Sequence, residues 1–133
     1  MKQILFFISV LAFLAGVFGL SWAQEVPSPL KTASSSELGE ILTGPNEMTL
    51  YIFVVDKEPG KSECNGGCAR HWPPFQPAAG DPAPEGSLSV ITREDGTEQY
   101  AYQGKPLYYW SRDKKPGDTT GHNIRDVFAV ATP

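Results

Sequence analysis

Thirteen residues of this 133-residue chain recur after an interval of 57, without a gap. Leu50-Tyr51-Ile52-Phe53-Val54-Val55-Asp56-Lys57-Glu58-Pro59-Gly60-Lys61-Ser62 returns as Leu107-Tyr108-Tyr109-Trp110-Ser111-Arg112-Asp113-Lys114-Lys115-Pro116-Gly117-Asp118-Thr119. The shared pattern, L-Y-x-(F/W)-x-x-D-K-x-P-G-x-(S/T), is an aromatic strand that runs into an acidic Pro-Gly turn. Two copies of one unit, each with an apolar face, can bury those faces against each other. Two are too few for a propeller or an open solenoid. The pattern therefore predicts a mainly β fold, a small antiparallel sandwich or half-open barrel built from two pseudo-repeats.

The N-terminus predicts export. Lys2 precedes an apolar run from Ile4 to Leu20, and Ser21 and Ala23 are the small residues a signal peptidase requires. Residues 1–23 read as a cleavable signal peptide, against the alternative of an uncleaved anchor near the roughly 18-residue minimum for a span. No Cys follows the apolar core, so lipid attachment there is not expected. Cleavage would leave 110 residues, one domain's worth, able to hide roughly two-thirds of its unfolded surface. The leader carries one Lys and no acid, so the net charge of −4 becomes −5. An acidic balance without a basic run argues against nucleic acid or anionic lipid as a partner.

Along the mature chain, residues 24–37 read as a flexible segment with two prolines and a Ser run. Residues 38–133 form a single domain whose copies span about 38–75 and 87–133. Leu38–Thr43 is a short strand, Gly44-Pro45-Asn46-Glu47 a turn, and Met48–Val55 a strand apolar on both faces. Asp56–Gly86 is long, irregular and rich in proline, an unusual length for a loop inside a compact domain. Leu88–Arg93 and Glu98–Tyr102 flank Asp95-Gly96, a strong hairpin signal. Leu107–Arg112 is the second aromatic strand, Asp113–Arg125 a loop, and Val127–Ala131 the closing strand. No helical period is visible, and six or seven antiparallel strands are expected.

Tyr51 and Phe53, like Tyr108 and Trp110, lie two apart and share one side of their strands. They are expected to form the core between the copies, the alternative being an aromatic platform that stacks a sugar ring or planar ligand. Asp56 and Asp113 sit where strand becomes turn. There a carboxylate can accept a backbone N–H two residues on and fix the turn. A cation site of Asp113, Asp118 and Asp126 and an acid pair of Asp56 and Asp113 are weaker readings. The spacing matches no calcium loop, and nothing places the two aspartates at one cleft.

Cys64-Asn65-Gly66-Gly67-Cys68 holds both cysteines of an exported chain, which predicts a disulfide bracing the long loop. The alternative is a soft-metal set for copper or zinc, formed by Cys64, Cys68 and His71 with His122. Haem attachment would need Cys-x-x-Cys-His, which is absent, as are a catalytic serine elbow and a phosphate-binding loop.

Gly39-x-Ile41-Leu42, Leu50-Tyr51-x-Phe53-x-x-Asp56, Ser62-x-Cys64-x-Gly66-x-Cys68-Ala69-x-x-Trp72-Pro73-Pro74, Arg93-x-Asp95-Gly96-x-x-Gln99-x-x-Tyr102-x-Gly104-x-Pro106-Leu107-Tyr108 and Asp113-x-x-Pro116-Gly117-Asp118 together resemble an exported bacterial family. It is that of the "secreted repeat" proteins, predicted lipoproteins with a Y-x-(F/W/Y)-x-x-D motif. The resemblance covers about residues 38–133. Two departures are the missing lipidated Cys, so that tethering is not implied, and Phe128 where the family has Trp. The resemblance implies a β-rich, exported, two-repeat domain and transfers no activity. The expectation is a periplasmic or secreted, non-catalytic domain of the cell envelope with a binding or structural role, needing no cofactor. Its partner would be an envelope component or small ligand, with no membrane span after cleavage. The alternative is extracytoplasmic copper or zinc handling, or redox work by the Cys64/Cys68 pair.

Overall fold

The computed structural model describes residues 25–133 and, within the leader, Gly16 alone, so the expected signal peptide lies outside the described residues. Seven short strands form three antiparallel sheets. β1 (Lys31–Ser35) pairs with β2 (Gly39–Thr43), and β3 (Tyr51–Phe53) pairs with β7 (Phe128–Val130). β4 (Leu88–Thr92), β5 (Glu98–Tyr102) and β6 (Lys105–Pro106) make the third sheet. A one-turn helix α1 (Gly67–His71) and a 3-10 turn η1 (Ile124–Asp126) complete the fold. It is mainly β, assembled from small sheets, with no closed barrel.

The two copies fold alike. In each, a hairpin (β1–β2, then β4–β5) leads to the Leu-Tyr motif, and Leu42 and Tyr100 take equivalent places. The N–H of Leu50 reaches the carbonyl of Leu42 at 3.0 Å, as that of Leu107 reaches Tyr100 at 3.0 Å. The copies meet at Tyr51 and Tyr108, which exchange both backbone hydrogen bonds, at 2.8 and 2.9 Å. Reciprocal bonding of this kind defines a narrow antiparallel pair, and here it marks a local two-fold relation. On one side of the crossing the core holds Leu42, Leu50, Phe75, Tyr100 and Leu107. On the other it holds Ile41, Tyr51, Trp72, Tyr108 and Phe128. Both cores draw on both copies, which is why neither copy has a core of its own.

Four sequence expectations are corrected. The flexible segment 24–37 contains β1, held by five register pairs to β2, although its Ser-rich composition carries no alternation. The strand expected over Met48–Val55 is only three residues, because the Asp56 N–H turns back onto the Phe53 carbonyl at 3.0 Å. Val54 and Val55 are consequently exposed rather than covered. The strand expected over Leu107–Arg112 does not form a ladder. Its neighbour is Trp72-Pro73-Pro74-Phe75, which takes the position that β7 takes beside β3. The Phe75 N–H bonds to Leu107 O and the Tyr109 N–H to Pro73 O, but neither proline has an N–H to give. Finally, the long loop contains α1, a single turn too short for a period to show. The Glu94–Thr97 turn is as expected, closed by the Arg93 N–H on Thr97 O at 2.8 Å.

Candidate functional site

The tyrosines of the repeat bind the aspartates of the opposite copy. Tyr51 donates to Asp113 Oδ2 at 2.6 Å, and Tyr108 donates to Asp56 Oδ2 at 2.5 Å. Each aspartate uses its other oxygen to close its own loop. Asp56 Oδ1 accepts the Glu63 N–H at 2.7 Å, and Asp113 Oδ1 accepts that of Thr120 at 3.1 Å. The acceptor bond thus comes from seven residues on, not two, and each carboxylate brackets a whole D-K-x-P-G loop. Gly60 and Gly117 take φ of 77° and 89° in these loops, a conformation that glycine adopts without steric cost. Burial, followed by the aspartate hydrogen bond, raises both Tyr51 and Tyr108 well above the usual phenol range. Burial also raises Asp56, against the hydrogen bonds from Tyr108 and Glu63 that lower it.

One copy adds a buried cation that the other lacks. Arg93 donates from Nη1 to Ser62 Oγ at 3.0 Å and Gln99 Oε1 at 2.6 Å, and from Nη2 to Cys64 O at 2.6 Å. Ser62 Oγ lies 2.7 Å from the Tyr108 hydroxyl. Since Tyr108 donates to Asp56 and Arg93 can only donate, the Ser62 proton points to Tyr108. The chain Arg93–Ser62–Tyr108–Asp56 therefore carries a consistent donor direction from guanidinium to carboxylate. Ser62, Arg93 and Gln99 belong to the family pattern, but their joining in one buried network was not expected from sequence, because a strand-end Arg normally faces solvent.

The second aromatic of each motif does something different from the first. Tyr51 and Tyr108 are completely buried, whereas Phe53 and Trp110 are half-buried. These two rings cap the ends of a four-ring stack whose middle is Trp72 and Phe128. Trp110 lies on Trp72 with centroids 4.1 Å apart, Trp72 on Phe128 at 3.6 Å, and Phe128 on Phe53 at 4.4 Å. The stack obeys the two-fold relation: Phe53 corresponds to Trp110 and Trp72 to Phe128. Tyr51 meets Trp72 edge-on, as Tyr108 meets Phe128. Gly121 lies against this assembly. A Cβ there would come within 2.7 Å of Trp72, 2.9 Å of Tyr51 and 3.0 Å of Trp110.

Beside the stack lies a groove of about 560 Å³, lined by all four rings together with residues of α1 and η1. α1 contributes Gly67, Cys68 and His71, and η1 contributes Ile124 and Arg125, followed by Val127. Arg112 completes the lining, its guanidinium carbon 5.9 Å from the Trp110 ring centroid. α1 and η1 are themselves 57 residues apart, so the groove also sits on the local two-fold. In η1, Asn123, Arg125 and Asp126 all have positive φ (62°, 52° and 55°), an uncommon concentration for non-glycine residues. Such backbone strain gathers at functional sites.

Cys64 and Cys68 form a disulfide. Cys64 is completely buried and Cys68 lies in α1, so the bond fastens the helix that presents His71 and leads into Trp72. His71 is exposed at the groove, while His122 accepts the Val130 N–H on Nδ1 at 3.1 Å. Among the described residues no group of three or more His, Cys, Asp or Glu is placed to hold a metal. Asp118 bonds to the Lys114 and Lys115 N–H groups of its own turn. No helix of the described residues is long and apolar enough to cross a membrane.

Sequence reasoning named Phe53 and Trp110 as an aromatic pair, and Trp72 and Phe128 only as positions of the family pattern, without placing them beside those two; it missed Arg112 and Arg125.

No curated protein and no solved structure matches the chain. Residues 32–76 and 89–131, one segment for each copy, match the family described as a secreted repeat of unknown function. A double match over most of the described residues, together with a disulfide suited to an extracytoplasmic setting, makes this chain a member of that secreted-repeat family.

Proposed function

We propose that the protein is an exported, non-catalytic binding domain of the cell envelope, released by signal-peptide cleavage and working in the periplasm or outside the cell. Its ligand occupies the groove between α1 and η1. One observation carries this reading: the four-ring stack, shared equally by the two copies, borders an open groove of about 560 Å³. That volume is in the range of small-molecule sites, which run from about 300 to 1,000 Å³. The lining also supports a binding rather than a catalytic role. It offers no carboxylate, no hydroxyl nucleophile and no free thiol, and His71 is its single imidazole.

The test is an NMR titration of the mature protein with a panel of small amphiphiles, neutral and charged. Ligands should shift the indole N–H signals of Trp72 and Trp110 together with backbone amides of α1 and η1. Absence of groove-centred changes with every panel member at millimolar concentration would overturn the reading.

A further inference from the structure

We infer that the groove selects an amphipathic anion, a small carboxylate with an apolar body, and binds it against the edges of the aromatic stack rather than on a ring face. This rests on the groove being a binding site, and it names the ligand chemistry.

The argument begins with what the inner rings can offer. Trp72 has Trp110 on one face and Phe128 on the other, and Phe128 has Trp72 on one face and Phe53 on the other. Both faces of each inner ring are therefore occupied, yet both rings line the groove. They can meet a ligand only through their edges. The free face of Trp110 is approached by the Arg112 guanidinium. At the inner rings and at Trp110, a flat sugar or a second planar ring, which needs an unoccupied face, is poorly served. Ring edges carry the positive part of the aromatic quadrupole, so the stack presents a surface that is apolar and mildly electropositive.

The charged lining has the same sign. The chain has 15 acidic residues and 11 lysines and arginines, yet the charged residues lining the groove are Arg112 and Arg125, with no Asp or Glu. A chance sample of this acidic surface would favour carboxylates. Arg125 reaches the groove from a backbone at φ 52°, a strained placement for an exposed side chain. Guanidinium groups hold carboxylates through paired N–H donors. An acid with its carboxylate between Arg112 and Arg125 and its hydrocarbon along the ring edges satisfies both halves of the lining.

The experiment compares three non-aromatic probes of one shape through the change in tryptophan fluorescence at neutral pH: cyclohexylacetate, 2-cyclohexylethanol and 2-cyclohexylethylammonium. After residue 23 the only tryptophans are Trp72 and Trp110, both of which line the groove, so the signal is local. Cyclohexylacetate should bind about tenfold or more tighter than the alcohol, equivalent to about 1.4 kcal/mol, and the cation weakest. The preference should fall to within about twofold in the Arg112→Gln/Arg125→Gln protein, whose exposed substitutions leave the stack intact, and should also fall with added salt. Equal or tighter binding of the alcohol, or a carboxylate preference untouched by the double substitution, overturns the inference while leaving the groove as a binding site. Failure of all three probes to bind overturns both.

Discussion

At the scale of single residues, the molecule is held by two tyrosines that cross between copies. Removing either hydroxyl leaves a carboxylate oxygen without its donor, a loss of about 1–3 kcal/mol for a buried group. Tyr51→Phe and Tyr108→Phe should each lower stability by that amount in denaturant unfolding. Each change also strands a second donor: the Gly121 N–H, which reaches the Tyr51 hydroxyl at 3.2 Å, and the Ser62 hydroxyl at Tyr108. Unchanged stability in either variant would show that its crossing contributes nothing. Gly121→Ala tests the stack: its methyl would press on Trp72, Tyr51 and Trp110 at once. Overpacking of this kind costs about 1–3 kcal/mol, and a protein of unchanged melting temperature would refute the close packing. The Y-x-(F/W)-x-x-D motif was legible in the sequence, as was the importance of its aromatics. Its pairing was not. Alternation along a strand says which side a residue takes, but it is silent on the partner, and here the partner lies 62 residues away for Tyr51 and 52 for Tyr108.

Among the elements, legibility followed local chemistry. The hairpin around Asp95-Gly96 was readable because its turn demands those residues, and β4 and β5 pair on either side of it over five residues each. β1 was not, because Lys-Thr-Ala-Ser-Ser forms a strand only through the partner that β2 supplies. The second aromatic strand was overestimated for the converse reason: its sequence is strand-like, but its neighbour contains Pro73 and Pro74. The disulfide was legible from compartment and spacing, whereas its purpose emerges only from α1. The bond joins buried Cys64 to the helix that carries His71 and precedes Trp72. Closing so short a loop is worth about 2 kcal/mol. Native protein should therefore show no titratable thiol. Reduction should lower the melting temperature without unfolding the protein at room temperature, and it should loosen α1 first, seen as faster amide exchange at Ala69–Trp72. Exchange that accelerates uniformly through the domain would mean that the disulfide braces the whole core instead of one wall of the groove.

For the whole molecule, ionisable groups set the range of pH over which two interlocked copies stay together. On the acid side the carboxylates act in opposite directions. Backbone and side-chain donors lower Asp81, Asp95 and Asp118, chiefly the N–H of Ala78, the Thr97 hydroxyl and the N–H of Lys114 respectively. Their stabilisation is present above the ordinary carboxylate range and lost as pH falls through their lowered values. Asp56, raised mainly by burial, works the other way, since the fold takes up its proton before the unfolded chain does. Asp56→Asn should therefore steepen the loss of stability in acid, whereas replacing Asp118, a lowered carboxylate, should flatten it. The alkaline limb is sharper. Burial holds Tyr100 and Tyr109 up to about 12, and Tyr51 and Tyr108 higher still. In the unfolded chain a phenol ionises near 10. Between those values the unfolded state has released protons that the folded state retains, so stability is intact below about pH 9 and declines as pH rises through about 10 to 12. These four phenols should ionise only as the fold is lost. In a Tyr102→Phe protein, where only these four tyrosines remain, tyrosinate absorbance and near-ultraviolet circular dichroism should accordingly change together in one transition, and adding Tyr51→Phe should move its midpoint. Four phenols that ionise near pH 10 with the dichroism unchanged would mean that the tyrosine–aspartate crossings are open to solvent, and that the two copies are held by the apolar cores alone.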